Sequence, residues 1–116
     1  IMILDWHAEA TSEKVAMGQL VDGLISGVLG THTHVPTADW QILRNGTAFV
    51  SDIGMCGVKD SIIGMEKSSI LKAFLTGVVA KFEVARGIVM INAVSLTVDE
   101  KTAHVLKIEK IQELVN

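Results

Sequence analysis

Two rhythms of apolar and polar positions run along the chain. Residues 1 to 5 (IMILD) form a short apolar run of the kind that fills buried parallel strands. Polar residues follow, and the Thr11-Ser12 pair can cap a helix, with Glu13 favouring its positive end. Val15, Ala16, Leu20 and Val21 recur at roughly helical spacing, and Asp22-Gly23 is a stop signal. Residues 25 to 29 (ISGVL) read as a second strand. Strand, helix and strand make a βαβ unit with parallel strands and a right-handed crossover.

Asn45-Gly46 marks a turn before a third strand at residues 47 to 51. A glycine-rich loop occupies residues 51 to 65 (SDIGMCGVKDSIIGM). Residues 66 to 76 suit a helix, with Ile70, Leu71, Phe74 and Leu75 on one face. Residues 81 to 85 read as a strand. Residues 89 to 98 and 103 to 111 read as a hairpin around Asp99-Glu100-Lys101-Thr102, because Val94, Leu96 and Val98 alternate with Ser95 and Thr97. The expected class is therefore α/β: a βαβ unit followed by antiparallel strands.

Composition narrows the choices. With 49% hydrophobic and 20% charged residues, the 116-residue chain should pack a core rather than stay disordered. A net charge of -3 without a Lys/Arg cluster argues against a nucleic-acid backbone as partner. A small phosphorylated ligand stays open, because bound metal ions can supply positive charge locally. Cys56 is the only cysteine, so no internal disulfide can form and a reducing, cytoplasmic setting is expected. No apolar run reaches membrane-spanning length, so no membrane partner is expected. The chain opens without Met inside an apparent strand, and a fragment of a longer protein is the expectation.

The candidate chemistry lies in histidines. In α/β sheets, ligands collect beyond the carboxyl ends of parallel strands. His7 follows the first strand, and His32 and His34 follow the second. The crossover brings His7 near the H-x-H pair, and in extended chain His32 and His34 would point the same way. Imidazole suits Zn, Fe, Mn and related ions. The alternative is a pair that only decorates a loop. His104 reads as a surface residue of the hairpin. Asp5, Glu9 and Asp52 are candidate acceptors for the histidines' second nitrogens. Thr31 and Thr33 are expected to bond backbone. The loop glycines Gly54, Gly57 and Gly64 have two readings of equal weight, backbone approach to a substrate or turn geometry alone. Cys56 is read as a small buried hydrophobe, Met55 and Met65 as core filler, and Asp60 as solvated.

"DWHAEATSEK" (5 to 14), "GTHTHVPTAD" (30 to 39) and "SDIGMCG" (51 to 57) closely resemble the YmdB-like branch of the calcineurin-like metallophosphoesterases. The resemblance runs through nearly the whole chain. It implies part of a calcineurin-like four-layer sandwich, in which two sheets are flanked by helices, with the whole of residues 1 to 116 forming the C-terminal portion of a single metallophosphoesterase domain. It implies metal-ligand roles for His7, His32 and His34, with His7 and His32 on one metal and His34 on the other. The complete enzyme would hold two divalent transition-metal ions, Fe or Mn, with Zn as a further option. It would hydrolyse phosphoesters such as 2′,3′-cyclic nucleotides by attack of metal-activated hydroxide on phosphorus.

The resemblance also implies what this stretch lacks. The family's first half carries an Asp near its N-terminus, a bridging Glu, Asn ligands and a catalytic His, and none of those motifs stands here. Trp6, Cys56 and Pro36 replace the expected Phe, Thr and Gln. Three neutral imidazoles cannot balance two dications, so this chain alone should be inactive or nearly so. Its partners would be the missing N-terminal half or a second chain, and exposed apolar faces make a homo-oligomer the expectation. Two other readings stay open. One is a non-catalytic, self-associating interaction fragment. The other is a mononuclear three-histidine hydrolase with an open metal position.

Overall fold

The structure, a computed structural model, describes residues 1–79 and 81–116. It divides into two compact units. The first comprises Ile1–Gly54 and Asn92–Ile111, and the second Met55–Ile91 and Gln112–Asn116.

In the first unit, β1 (Ile3–His7), α1 (Thr11–Leu20) and β2 (Gly27–Thr31) form the expected βαβ arrangement. Strands β1 and β2 pair in parallel, and the register sets His7 beside Thr31. Strand β2 also pairs in parallel with β4 (Ala48–Val50). A short strand absent from the sequence reading, β3 (Gln41–Ile42), runs antiparallel to β4. It pairs with β4 through the Asn45-Gly46 turn, where Gly46 has φ 97°. The sheet order is β1-β2-β4-β3. Strands β2 and β4 are therefore interior, and β1 lies at an edge. The expectation that the first apolar run is buried does not hold, since Ile1 is 75% exposed and Ile3 45%.

One sheet face carries Val28, Leu43 and Phe49, joined by Leu4, Trp6, Met17, Val21 and Ile25. The other carries Ala48, packed with Val105, Ile108, Leu96 and Val98 of the hairpin strands β6 (Val89–Val98) and β7 (Val105–Val115). Period-2 side-chain alternation sends neighbouring residues of β4 to opposite layers. The unit is thus helix, sheet, hairpin. Asp99 turns the hairpin by accepting from the Lys101 and Thr102 backbone N–H groups at 2.8 and 3.1 Å.

Helix α1 departs from its reading in two ways. Its N-cap is Ala10, without a side-chain cap. Its inward stripe is Lys14, Met17, Gly18 and Val21 rather than the all-apolar set, and Val15 and Leu20 are exposed. The reason is steric and electrostatic. A Cβ on Gly18 would come within 2.6 Å of the Phe49 ring, so glycine lets the helix settle on that ring. Lys14 meets the buried carboxylate of Asp52.

In the second unit, β5 (Gly57–Val58), inside the glycine-rich loop, pairs antiparallel with the start of β6. Helix α2 (Lys67–Thr76) is capped by Glu66, whose carboxylate accepts from the Ser68 and Ser69 N–H groups at 3.0 and 3.1 Å. It ends at Gly77, whose φ of 68° is left-handed. Of its expected apolar face only Ile70 is buried, while Phe74 and Leu75 are more than 80% exposed. The strand expected at 81 to 85 reduces to a bridge between Val84 and Met65. Cys56 is exposed, not buried as expected. Asp60 is exposed and paired with Lys67.

Candidate metal centre

The carboxyl ends of β1 and β2 lie side by side, and parallel pairing sets the chemistry there. His7 is the last residue of β1, and Thr31 is its neighbour on β2. The Thr31 hydroxyl lies 2.8 Å from Asp5 Oδ1 and 3.0 Å from His7 Nδ1. His7 Nε2 in turn lies 3.1 Å from His32 Nδ1. The two imidazoles meet edge to face, with centroids 5.0 Å apart and planes at 84°. Asp5, Thr31, His7 and His32 thus form one line of contacts, exposed or half-exposed and open to an incoming ligand. Thr31 bonds side chains here, not backbone as expected. Thr33 does close a local turn, through Val35.

The loop beyond β2 is not extended. His32 has φ 128° and His34 φ 67°, both in the region that side chains other than glycine rarely adopt. The premise that the two rings project in parallel from extended chain therefore fails. Such strain persists only where surrounding contacts over-determine it, and it gathers at functional sites. Among the described residues, no group of three or more His, Cys, Asp or Glu side chains is gathered so as to hold a metal ion. The structure brings His7 and His32 together and leaves His34 outside any such group.

The contacts that hold the strained loop run through Asp52, at the end of β4. Its carboxylate accepts from the Thr33 N–H at 2.8 Å and the Gly54 N–H at 2.9 Å. It also pairs with Lys14 at 3.1 Å, and both residues are 1% exposed. Burial alone would raise the Asp52 carboxyl. The Thr33 and Gly54 N–H groups and the Lys14 ammonium outweigh it and hold the carboxyl below its ordinary value. Asp39 plays a similar part. Burial opposes its charge, but the Ser51 and Thr37 hydroxyls and the Ser51 N–H lower its carboxyl. Backbone links complete the lacing, from Thr37 N–H to Asp52 O at 2.9 Å and from Ile53 N–H to Gly30 O at 2.9 Å.

Asp52 is thus a strut for the loop, while Asp5 is the acid connected to His7, through Thr31. Glu9 is exposed and outside this network. Lys14 escaped the sequence reading, because a lysine inside an amphipathic pattern reads as solvated. The i, i+3, i+4, i+7 stripe of Lys14, Met17, Gly18 and Val21 was the available signal. Gly54, with φ 84°, and Gly64, with φ 97°, serve turn geometry.

Gly30 is required at the strand end. A Cβ there would lie 1.8 Å from Ser51 O, far inside contact distance. Gly30→Ala should lower stability by about 1–3 kcal/mol or more, by forcing β2 and β4 apart beneath the histidines. A urea-unfolding midpoint equal to that of the unsubstituted protein would contradict this.

Comparison with known proteins places the chain in a family. The family model described as YmdB-like protein matches residues 1–111. The chain is 47% identical over 110 residues to a 2′,3′-cyclic-nucleotide 2′-phosphodiesterase of Bacillus subtilis, covering 95% of this chain and 42% of that protein. It is 43% identical over 111 residues to a putative phosphatase/phosphodiesterase of Mycoplasma genitalium, covering 95% and 40%. The chain therefore spans about two fifths of the length of the curated relatives it matches. A crystal structure of a hypothetical protein from Thermus thermophilus superposes with a TM-score of 0.90 at 41% identity, covering 97% of this chain and 44% of that one. That of a novel phosphatase from Mycoplasma pneumoniae does so with a TM-score of 0.90 at 40% identity, covering 95% and 40%. The chain belongs to the YmdB-like protein family.

Proposed function

We propose that this chain is the C-terminal part of a dinuclear-metal phosphodiesterase acting on 2′,3′-cyclic nucleotides, within a calcineurin-like sandwich. The observation that carries this reading is the facing pair of ring nitrogens, His7 Nε2 and His32 Nδ1, 3.1 Å apart at adjacent strand ends. The two nitrogens share one proton in this hydrogen bond, and a metal ion that displaced that proton would find two imidazole nitrogens on one side, which suits part of a transition-metal ligand set. The names of the relatives support the substrate class.

The donor set fits metal incompletely. His7 and His32 would serve one ion and His34 a second, with the remaining ligands and the general acid supplied by a first half or a second chain. When bound, divalent ions, Fe or Mn by preference and Zn as a further option, would lower the pKa of water and offset charge on the phosphoryl oxygens. The chain's own residues do the positioning. Asp52 and Lys14 brace the loop that carries His32 and His34, and Gly30 brings β2 close to β4.

The absence of a three-residue ligand group among the described residues weighs against the mononuclear three-histidine reading. The exposed apolar residues Phe74, Leu75, Leu20 and Ile1 support a covering first half or a second copy of the chain, and they also suit the self-associating fragment. No helix among the described residues is long and apolar enough to cross a membrane.

The test is hydrolysis of 2′,3′-cyclic AMP with added Mn. The chain alone should show no enzyme-like, chelator-sensitive turnover, and adding the missing half should restore it. Robust turnover by the highly purified chain alone would replace this reading with the mononuclear one.

A further inference from the structure

We infer that Thr31 is a positioning residue that fixes the tautomer of His7, relaying the demand of Asp5 through its hydroxyl. The inference deepens the proposed metal reading and rests on it for its purpose, but the relay itself follows from hydrogen-bond valence. The Asp5 carboxylate can only accept, so the Thr31 hydroxyl, 2.8 Å away, must donate to it. A hydroxyl has one proton. Toward His7 Nδ1, at 3.0 Å, Thr31 therefore has only a lone pair to offer. A neutral His7 must carry its proton on Nδ1 and leave Nε2 unprotonated, as an acceptor. That unprotonated nitrogen accepts from His32 Nδ1, 3.1 Å away.

This order matters because a neutral imidazole presents one lone pair, and which nitrogen bears it is set by the hydrogen bond at the other. Without the relay, His7 could protonate Nε2 and turn an N–H toward the ligand position. A direct Asp5–His7 contact would achieve the same result. The threonine is needed because His7 and Asp5 lie two apart on an edge strand, where Thr31 of the neighbouring strand stands level with His7. The H-x-H motif brings the ligand, and the preceding threonine decides which nitrogen of its partner is free.

The experiment reads ring-nitrogen resonances of labelled histidine in the metal-free full natural chain, at a pH where the rings are neutral. In the unsubstituted protein, His7 should show a protonated Nδ1 and a bare Nε2. Thr31→Val should move population to the Nε2–H form, and Thr31→Ser should keep the original form. Asp5→Asn should loosen it, because an amide can donate its N–H to Thr31 as well as accept, so the hydroxyl proton is no longer committed to residue 5 and part of the population can turn it toward Nδ1. That variant preserves shape and keeps the test decisive if Thr31→Val folds poorly. Mn(II) titration should then show affinity weakened about 10–100-fold in Thr31→Val and retained in Thr31→Ser. A bare Nδ1 on His7 in the unsubstituted protein overturns the inference. So does a His7 tautomer indifferent to both Thr31→Val and Asp5→Asn. The expected tautomers with no Mn(II) binding by any form, the unsubstituted protein included, would uphold the relay and sink the metal reading instead.

Discussion

Lys14→Met is expected to cost about 3–5 kcal/mol of stability, because it leaves the Asp52 carboxylate buried without a cation. The methionine matches the lysine stem in length, so packing is nearly kept and the loss reports charge. The second substitution Asp52→Asn, made on that background, should recover part of it. Asparagine can still accept from the Thr33 or Gly54 N–H while burying no charge. The sign of the pH dependence follows from the lowered Asp52 carboxyl. Its contribution is present above the unfolded carboxylate value, about pH 4, and is lost as pH falls through the lower folded value. Urea midpoints of the unsubstituted and Lys14→Met proteins should therefore differ widely at pH 7 and converge in acid. Equal midpoints at pH 7 would show that the pair contributes nothing.

On the proposed function, His32→Ala in the full natural chain is expected to lower metal-dependent hydrolysis of 2′,3′-cyclic AMP by about 10³-fold or more, corresponding to a loss of several kcal/mol of charge stabilisation. The strained backbone allows a sharper form of the test. His32 sits at φ 128°, where glycine pays little. His32→Gly should therefore raise stability by about 1 kcal/mol while abolishing activity equally, since such strain costs roughly 1–3 kcal/mol. Opposite movement of midpoint and turnover would mark a residue held in strain for its chemistry. Near-normal turnover of either variant at saturating Mn would remove His32 from the ligand set.

Much of the fold was legible locally. The apolar run, helical stretch and second apolar run of residues 1 to 29 became β1, α1 and β2 in parallel, because period and punctuation are properties of neighbouring residues. Alternation at Val94, Leu96 and Val98 became the hairpin for the same reason. The strands β3 and β5, two residues each, are too short to show a period. They exist because partners already in place offer them an edge.

The candidate site divides along the same line. The positions of His7 and His32 at neighbouring strand ends follow from the βαβ spacing and the motifs, which are features of sequence alone. What tertiary structure decided is the role of everything around them. Lys14 is buried because Asp52 is beneath it, and Gly18 because Phe49 is beneath that. Val15 and Leu20 are outside because those two contacts set the helix's rotation. Thr31 turned from the backbone to Asp5 and His7 because strand register put it level with His7. Composition and period state what a residue prefers on average. A packed interior fixes one rotation, one register and one partner for each polar atom, because an unpaired buried group costs more than a local preference returns.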